Sequence, residues 1–237
     1  MEAFERVKNL IGKEGLEVLQ SSSVALFGVG GVGSFVAEAL VRSGIGSISI
    51  FDGDKVDKSN LNRQLIATSD TIDMDKVDAV RDRLLRINKQ LKIDCKKIFY
   101  LPDNADEVDL TSFDYIVDAI DTVSAKIEII VRAKALNKQV ISCMGTGGKL
   151  QIDKLKVGDI YSTKDCPLAR VIRRELKKRE VKELKVVYSE EQPIKNFSGD
   201  KKADGRSAPP SMIFVPAVAG LYIAREVVFD LLKNKGK

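Results

Sequence analysis

Histidine is missing altogether from the 237 residues. Its absence removes the Ser-His-Asp and Cys-His arrangements and the side chain most often found on catalytic metals. Any chemistry must rest on carboxylates, lysine, arginine, a bound metal or the substrate itself. Cysteine is scarce. Cys95, Cys143 and Cys166 are an odd number without a CxxC pair, which argues against a disulfide framework or a tetrahedral zinc site and fits a reducing compartment. No apolar run approaches the roughly eighteen residues of a membrane span. The opening MEAFERVKNLIGKEG is mixed-charge and amphipathic rather than a basic region followed by an apolar core. A soluble, cytoplasmic protein with no membrane partner is expected, and no internal repeat is visible.

What is present is a 44 % hydrophobic chain, enough for a sizeable core, and one domain over 1–237 is expected. The segment SSVALFGVGGVGSFVAEALVRSGIGSISIFD reads as a strand at Val24–Phe27, a glycine turn, a helix from Ser34 to Ser43 closed by Gly44, and a strand at Ile48–Phe51. A second helix is marked by Val77, Val80, Leu84 and Ile87 at helical spacing. KIDCKKIFY, YIVDAID and QVISCMG read as further strands, with a helix through SAKIEIIVRAKALN. Such alternation predicts an α/β fold, a Rossmann-like and mostly parallel sheet with helices on both faces. After Gly148, KLQIDKLKVGDIYST alternates like antiparallel strands that extend the same sheet. PLARVIRRELKKREVKEL reads as a basic amphipathic helix with Leu168, Val171, Ile172 and Leu176 on its apolar face. A mobile loop is expected at about 189–211, then a core helix in MIFVPAVAGLYIAREVVFDLL. The nucleotide-binding part should cover 1–148 and the substrate-binding part 149–237.

Gly28, Gly30 and Gly33 form G-x-G-x-x-G between a strand and a helix, with Gly31 inside the same loop. In that setting glycines let backbone amides approach a phosphate at a helix N-terminus. The motif fits a dinucleotide or ATP, and a bare tight turn is its bland alternative. Asp52, nineteen positions after Gly33, ends the second strand where a carboxylate accepts ribose hydroxyls. Alone it favours NAD. The polar run FDGDKVDKSNLNRQL, with Asp54, Asn60, Arg63 and Gln64, and Lys76 beyond it, is not explained by NAD. Cations beside a nucleotide's phosphates suit phosphoryl or nucleotidyl transfer, in which charge builds on phosphate oxygens. An exposed loop cap is the competing reading.

DGDKVDKSNLNRQ resembles the D-x-D-x-V-x-x-S-N-L-x-R-Q signature of the E1-like superfamily, the adenylating enzymes that include the ubiquitin activators and the bacterial ThiF, MoeB and HesA proteins; the glycine loop and VDAIDT match as well. GTGGKL, DCPLARVIRRELKK and SAPPSMIFVPAVAGL extend the likeness over nearly the whole chain to the tRNA threonylcarbamoyladenosine dehydratase branch. KLQIDKLKV departs from it, lacking an Asp-Pro after the glycines. The resemblance implies that Asp52 binds ribose, that Asn60, Arg63 and Lys76 hold the triphosphate of ATP, and that Asp121 helps place Mg2+. Asp54, Gln64 and the glycine loop would complete the nucleotide site, with Arg63, Lys76 and Asp121 as its catalytic groups. It implies a homodimer in which Arg6 reaches the neighbouring subunit's ATP, and tRNA as partner along the basic helix from Arg170 to Lys182. The alternative within the superfamily is activation of a ubiquitin-like sulfur-carrier protein, with a sulfur-relay partner. Cys143 or Cys166 would then be a covalent thiol, against the commoner reading of buried structural cysteine; Cys95 is expected in the core.

Overall fold

A computed structural model describes residues 2–194 and 209–234. Of the loop expected at about 189–211, residues 195–208 lie outside the described residues. In chain order the elements are α1 (Glu5–Ser21), β1 (Ser23–Phe27), α2 (Gly33–Arg42), β2 (Ser47–Phe51), α3 (Lys76–Ile87), β3 (Lys92–Lys96), β4 (Tyr115–Asp118), α4 (Val123–Ala135), β5 (Gln139–Cys143), β6 (Leu155–Asp159), α5 (Pro167–Lys178), β7 (Lys185–Ser189) and α6 (Phe214–Asn234). They build a seven-stranded sheet in the order β3-β2-β1-β4-β5-β7-β6, in which the β6–β7 pair alone is antiparallel.

The expected α/β architecture is present, and its layers follow from strand periodicity. Successive strand side chains point to opposite faces, so Val24 and Leu26 of β1 join one core while Ala25 and Phe27 join the other. Val36, Leu40, Leu84 and Val227, from α2, α3 and α6, cover the first face. Ile129, Ile130, Ile172 and Leu176, from α4 and α5, cover the second. Apolar strands buried on both faces are the normal state of a parallel sheet, and β4 is buried at every position.

The C-terminal half differs in detail from the sequence reading. KLQIDKLKVGDIYST contributes the single strand β6, with 3-10 turns at Ile152–Lys154 and Ile160–Ser162 on either side. The basic helix stops at Lys178, short of Lys182, because Glu180 takes a left-handed φ of 57° and the Val181 amide folds back onto the Leu176 carbonyl at 3.1 Å. The strand after it, β7, has no counterpart in the sequence reading. Its buried Val186–Ser189 run is only four residues long and sits inside a charged stretch, so no periodic signal marks it. On the N-terminal side β3 ends at Lys96, and as an edge strand it leaves Cys95 half-buried rather than in the core.

The turn from β1 into α2 brings backbone against backbone. Gly28 has φ of 87°, and a Cβ there would lie 2.9 Å from the Ala119 carbonyl oxygen. A Cβ on Gly33 would lie 1.8 Å from the Gly28 carbonyl oxygen, a backbone atom that cannot swing away. Gly33→Ala should therefore cost at least the roughly 1–3 kcal/mol typical of overpacking. Urea denaturation measures it, and an unchanged midpoint would contradict the contact.

Candidate active site

β1 lies between β2 and β4, and the chain leaves β1 and β4 towards helices on opposite faces of the sheet. A crevice therefore opens at the carboxyl ends of these two strands, where open α/β sheets bind ligands. The Gly28 amide donates to the Phe51 carbonyl at 2.8 Å and the Ala119 amide to the Phe27 carbonyl at 2.8 Å, which ties the two sides of the crevice to β1. Asp52, the first residue after β2, accepts hydrogen bonds from the Val29 amide at 2.8 Å and the Asp54 amide at 2.9 Å. One carboxylate thus joins the glycine loop to the polar segment after β2. Burial pushes its pKa above the usual carboxylate range, against the opposing pull of the Lys76 charge and of those two amides.

The polar run folds into a compact turn. Asp57 caps a 3-10 turn at Lys58–Asn60, and the buried Asn60 returns its Oδ1 to the Asp57 amide at 3.1 Å. Asn60 itself is therefore fixed by the cap. The turn is fastened to the glycine loop by Ser34, whose hydroxyl donates to the Gly30 carbonyl at 2.7 Å and accepts from the Leu65 amide at 3.2 Å. Arg63 donates through Nη1 to the Ser59 carbonyl at 2.7 Å and to Asn62 Oδ1 at 2.9 Å. Its Cγ would lie 3.4 Å from a Cβ on Gly31. The Gln64 side-chain nitrogen would be 3.7 Å from a Cβ on Gly30, while its buried Oε1 has no hydrogen-bond partner. Lys76, 6 % exposed at the start of α3, pairs with Asp54 at 2.7 Å, and that carboxylate remains open to solvent.

The carboxylates at the end of β4 are arranged differently from each other. Asp118 is fully buried with Lys126, their charged atoms 2.8 Å apart, and it accepts from the Ser142 hydroxyl at 2.5 Å. Lys126 also donates to the Ile120 carbonyl at 3.1 Å. This pair fixes the turn that carries Asp121, which is exposed three residues beyond the strand. Lys126 was not singled out by sequence: a lysine on a helix normally reads as a solvated residue, and nothing local announces a buried partner eight residues earlier. Arg6 is exposed in the first turn of α1, a helix that packs on α6.

Asn62, Ser34 and Lys149 also lie outside the sequence-based set. Lys149, 3 % exposed after the 145–148 turn, donates to the Ser189 carbonyl at 3.2 Å, and burial lowers its pKa. Cys143 and Cys166 are each 4 % exposed. Burial pushes the Cys143 thiol up to about 12, the opposite of what a nucleophilic thiol requires. On α5 and at its C-terminal cap, Arg174, Lys178 and Arg179 pair with Glu175, and Arg173 donates to the Thr163 carbonyl and hydroxyl at 2.9 and 2.7 Å. Arg170 and Lys177 stay exposed, as does Val171, which the helical spacing had placed on the apolar face.

Among the described residues no group of three or more Asp, Glu, Cys or His gathers to hold a metal. No described helix is long and apolar enough to cross a membrane.

A glycine turn opening a helix, a buried carboxylate at the end of the next strand, and an arginine and a lysine beside them define an α/β nucleotide-binding protein. The profile of the ThiF family matches residues 4–235, and the chain belongs to that family. Over 241 residues it is 40 % identical to the tRNA threonylcarbamoyladenosine dehydratase of Bacillus subtilis, covering 98 % of this chain and 95 % of that one. Its fold matches the Escherichia coli tRNA N6-threonylcarbamoyladenosine dehydratase, TcdA, solved in complex with AMP, with a TM-score of 0.90 at 27 % identity, covering 99 % of this chain and 96 % of that one. The same E. coli protein solved in complex with ATP gives a TM-score of 0.88 at 26 % identity with the same coverage.

Removing one member of a buried ion pair strands the other without water, at a cost of roughly 3–5 kcal/mol. Lys126→Met should lose about that much stability in chemical denaturation, and the double variant Asp118→Asn with Lys126→Met should recover most of it. A single variant as stable as the parent would show that the pair does not hold the 118–121 turn.

Proposed function

We propose that this chain uses ATP to dehydrate threonylcarbamoyladenosine in tRNA, cyclising the modified nucleoside through adenylation of its threonyl carboxylate. The observation that carries this reading is the 40 % identity to a tRNA threonylcarbamoyladenosine dehydratase across nearly the full length of both chains. The chemistry suits a protein without histidine. A carboxylate is a poor acyl donor. Transfer of AMP to it releases pyrophosphate, and attack on the activated carbon by a nitrogen or oxygen already in the substrate releases AMP. No protein nucleophile is needed, and intramolecular alignment of that kind is worth roughly 7–11 kcal/mol.

In this reading Asp52 receives the ribose hydroxyls, the loop from Gly28 to Gly33 presents its amides to the phosphates, and Asn60, Arg63 and Lys76 hold the triphosphate. Three features support the assignment. Gln64 sets its side-chain nitrogen beside Gly30 and has a buried carbonyl oxygen without a partner, Arg63 has further guanidinium donors to offer, and the Asp54 partner of Lys76 is exposed enough to yield to a phosphate. Mg2+ at Asp121 fits the same site, since magnesium is held by one or two carboxylates together with substrate phosphates and needs no all-protein cage. When bound it would neutralise charge on the phosphate oxygens. Asp121 is the solvent-exposed carboxylate of this turn, whereas Asp118 is buried against Lys126.

A single adenylation domain is part of the proposal, with 1–148 as the nucleotide part and 149–237 as the substrate part. It is supported by a sheet that continues from β5 into β7 without a break. The tRNA would lie along the exposed Arg170 and Lys177 of α5, and a homodimer would let Arg6 serve the neighbouring nucleotide site. A reducing cytoplasmic setting accords with three free cysteines.

The test is incubation of the protein with ATP, Mg2+ and threonylcarbamoylated tRNA, followed by mass analysis of the nucleoside. The expected product lacks one water molecule and appears with pyrophosphate and AMP. An unchanged nucleoside while ATP binds would refute the proposal, and pyrophosphate release that depends on a ubiquitin-like protein and ignores tRNA would establish the alternative. Lys76→Ala and Arg63→Ala should each lower kcat by about 10²- to 10³-fold, the usual cost of removing a preorganised charge stabiliser. Loss of NAD binding rather than ATP binding in these variants would contradict the assignment.

A further inference from the structure

Asn62 occupies the unspecified position of the S-N-L-x-R-Q signature, and the structure places its amide between two parts of the site. Oδ1 accepts from Arg63 Nη1 at 2.9 Å, and Nδ2 donates to the Ser211 carbonyl at 2.8 Å. The orientation of the amide is dictated by chemistry. A guanidinium can only donate and a carbonyl can only accept, so the oxygen must face Arg63 and the nitrogen must face Ser211. The next carbonyl towards the N-terminus, that of Pro210, takes the Gly148 amide at 2.6 Å. A second contact joins the same regions: a Cβ on Gly31 would lie 3.4 Å from both Arg63 Cγ and Pro216 Cβ, so the start of α6 rests on the glycine loop beside the arginine stem.

We infer that Asn62 is a positioning residue that couples occupation of the nucleotide site to binding of the nucleic-acid substrate, through the hydrogen bonds Arg63–Asn62–Ser211 and Pro210–Gly148. The inference rests on the proposed tRNA-modifying function and adds a residue to it. A phosphate drawing on the Arg63 guanidinium alters the pull on Asn62 Oδ1. The rigid amide passes that change to the Ser211 carbonyl, and the Pro210–Gly148 bond passes it to the turn after β5. In that turn a Cβ on Gly145 would lie 3.8 Å from both Cys166 Sγ and Leu168 Cβ, against the start of α5, the helix that carries Arg170 and Lys177. Nucleotide then tightens tRNA binding, and by linkage tRNA tightens nucleotide binding by the same factor.

The test measures the Kd of threonylcarbamoylated tRNA for the full chain with and without saturating α,β-methylene ATP, which cannot release pyrophosphate. The wild type should bind tRNA about fivefold or more tightly with the analogue present, the lower range of measured couplings. Asn62→Ala removes both bonds. Asn62→Asp keeps an acceptor for Arg63 but loses the donor to Ser211. Asn62 is exposed, so both variants should fold. In both, the ratio should fall to about one, a readout that a merely structural change would not move selectively. A wild-type ratio of one, a ratio retained in Asn62→Ala, or a ratio lost in Asn62→Ala but retained in Asn62→Asp each overturns the inference. If the tRNA fails to bind or its nucleoside keeps its water, the proposed function falls and this inference with it. Dehydration with an unchanged ratio removes the inference alone.

Discussion

The close approach of Gly33 to the Gly28 carbonyl is the constraint on which the rest of the site depends. β1 must turn directly into α2 while the carboxyl end of β4 presses on the same turn through the Ala119 carbonyl. With no side chain in that space, the backbone itself becomes the surface of the crevice. The N-terminus of α2 begins at this turn, and the dipole of a helix start favours an anion. Asp52 completes the frame by accepting from Val29 on one side and Asp54 on the other, so the position of the polar turn is set by the same loop.

Burial separates the charged pairs of this region into two kinds. Asp118 and Lys126 are both inaccessible, and their role is to hold the turn at 118–121. Lys76 is buried but its partner Asp54 is exposed, and among the described residues Arg63 is held by a carbonyl and a neutral amide. Such partners are exchangeable. A phosphate offers the cation more charge at little desolvation cost, because the competing carboxylate is already in water. A chain without histidine can in this way concentrate positive charge at one point and leave the proton transfers to its substrate.

The same distinction reduces the apparent basicity of α5. As a sequence it reads as a basic amphipathic helix, whereas in the fold Glu175 draws in Arg174, Lys178 and Arg179, and Arg173 turns inward to Thr163. A single carboxylate offsets only one of those charges, so the helix keeps a positive face for a polyanion, with Arg170 and Lys177 lying outside the cluster around Glu175.

The order of strands and helices through β5, the glycine turn, and the gathering of Asp52, Arg63 and Lys76 near it were all legible in the sequence. Each is encoded locally, by periodicity, by glycine spacing or by polarity crowded at a strand end. β7, the early end of α5 and the half-burial of Cys95 were not, because each depends on which element lies beside it in the sheet. The same holds for the site's supporting contacts. Lys126 finds Asp118, Ser34 finds Leu65 and Asn62 finds Ser211 only after the chain has closed, and the last of these spans 149 residues. Local pattern determined which side chains could meet a nucleotide. Tertiary packing decided which of them stay available and which are already bound, because availability is a matter of the partners and the water that the fold leaves beside each group.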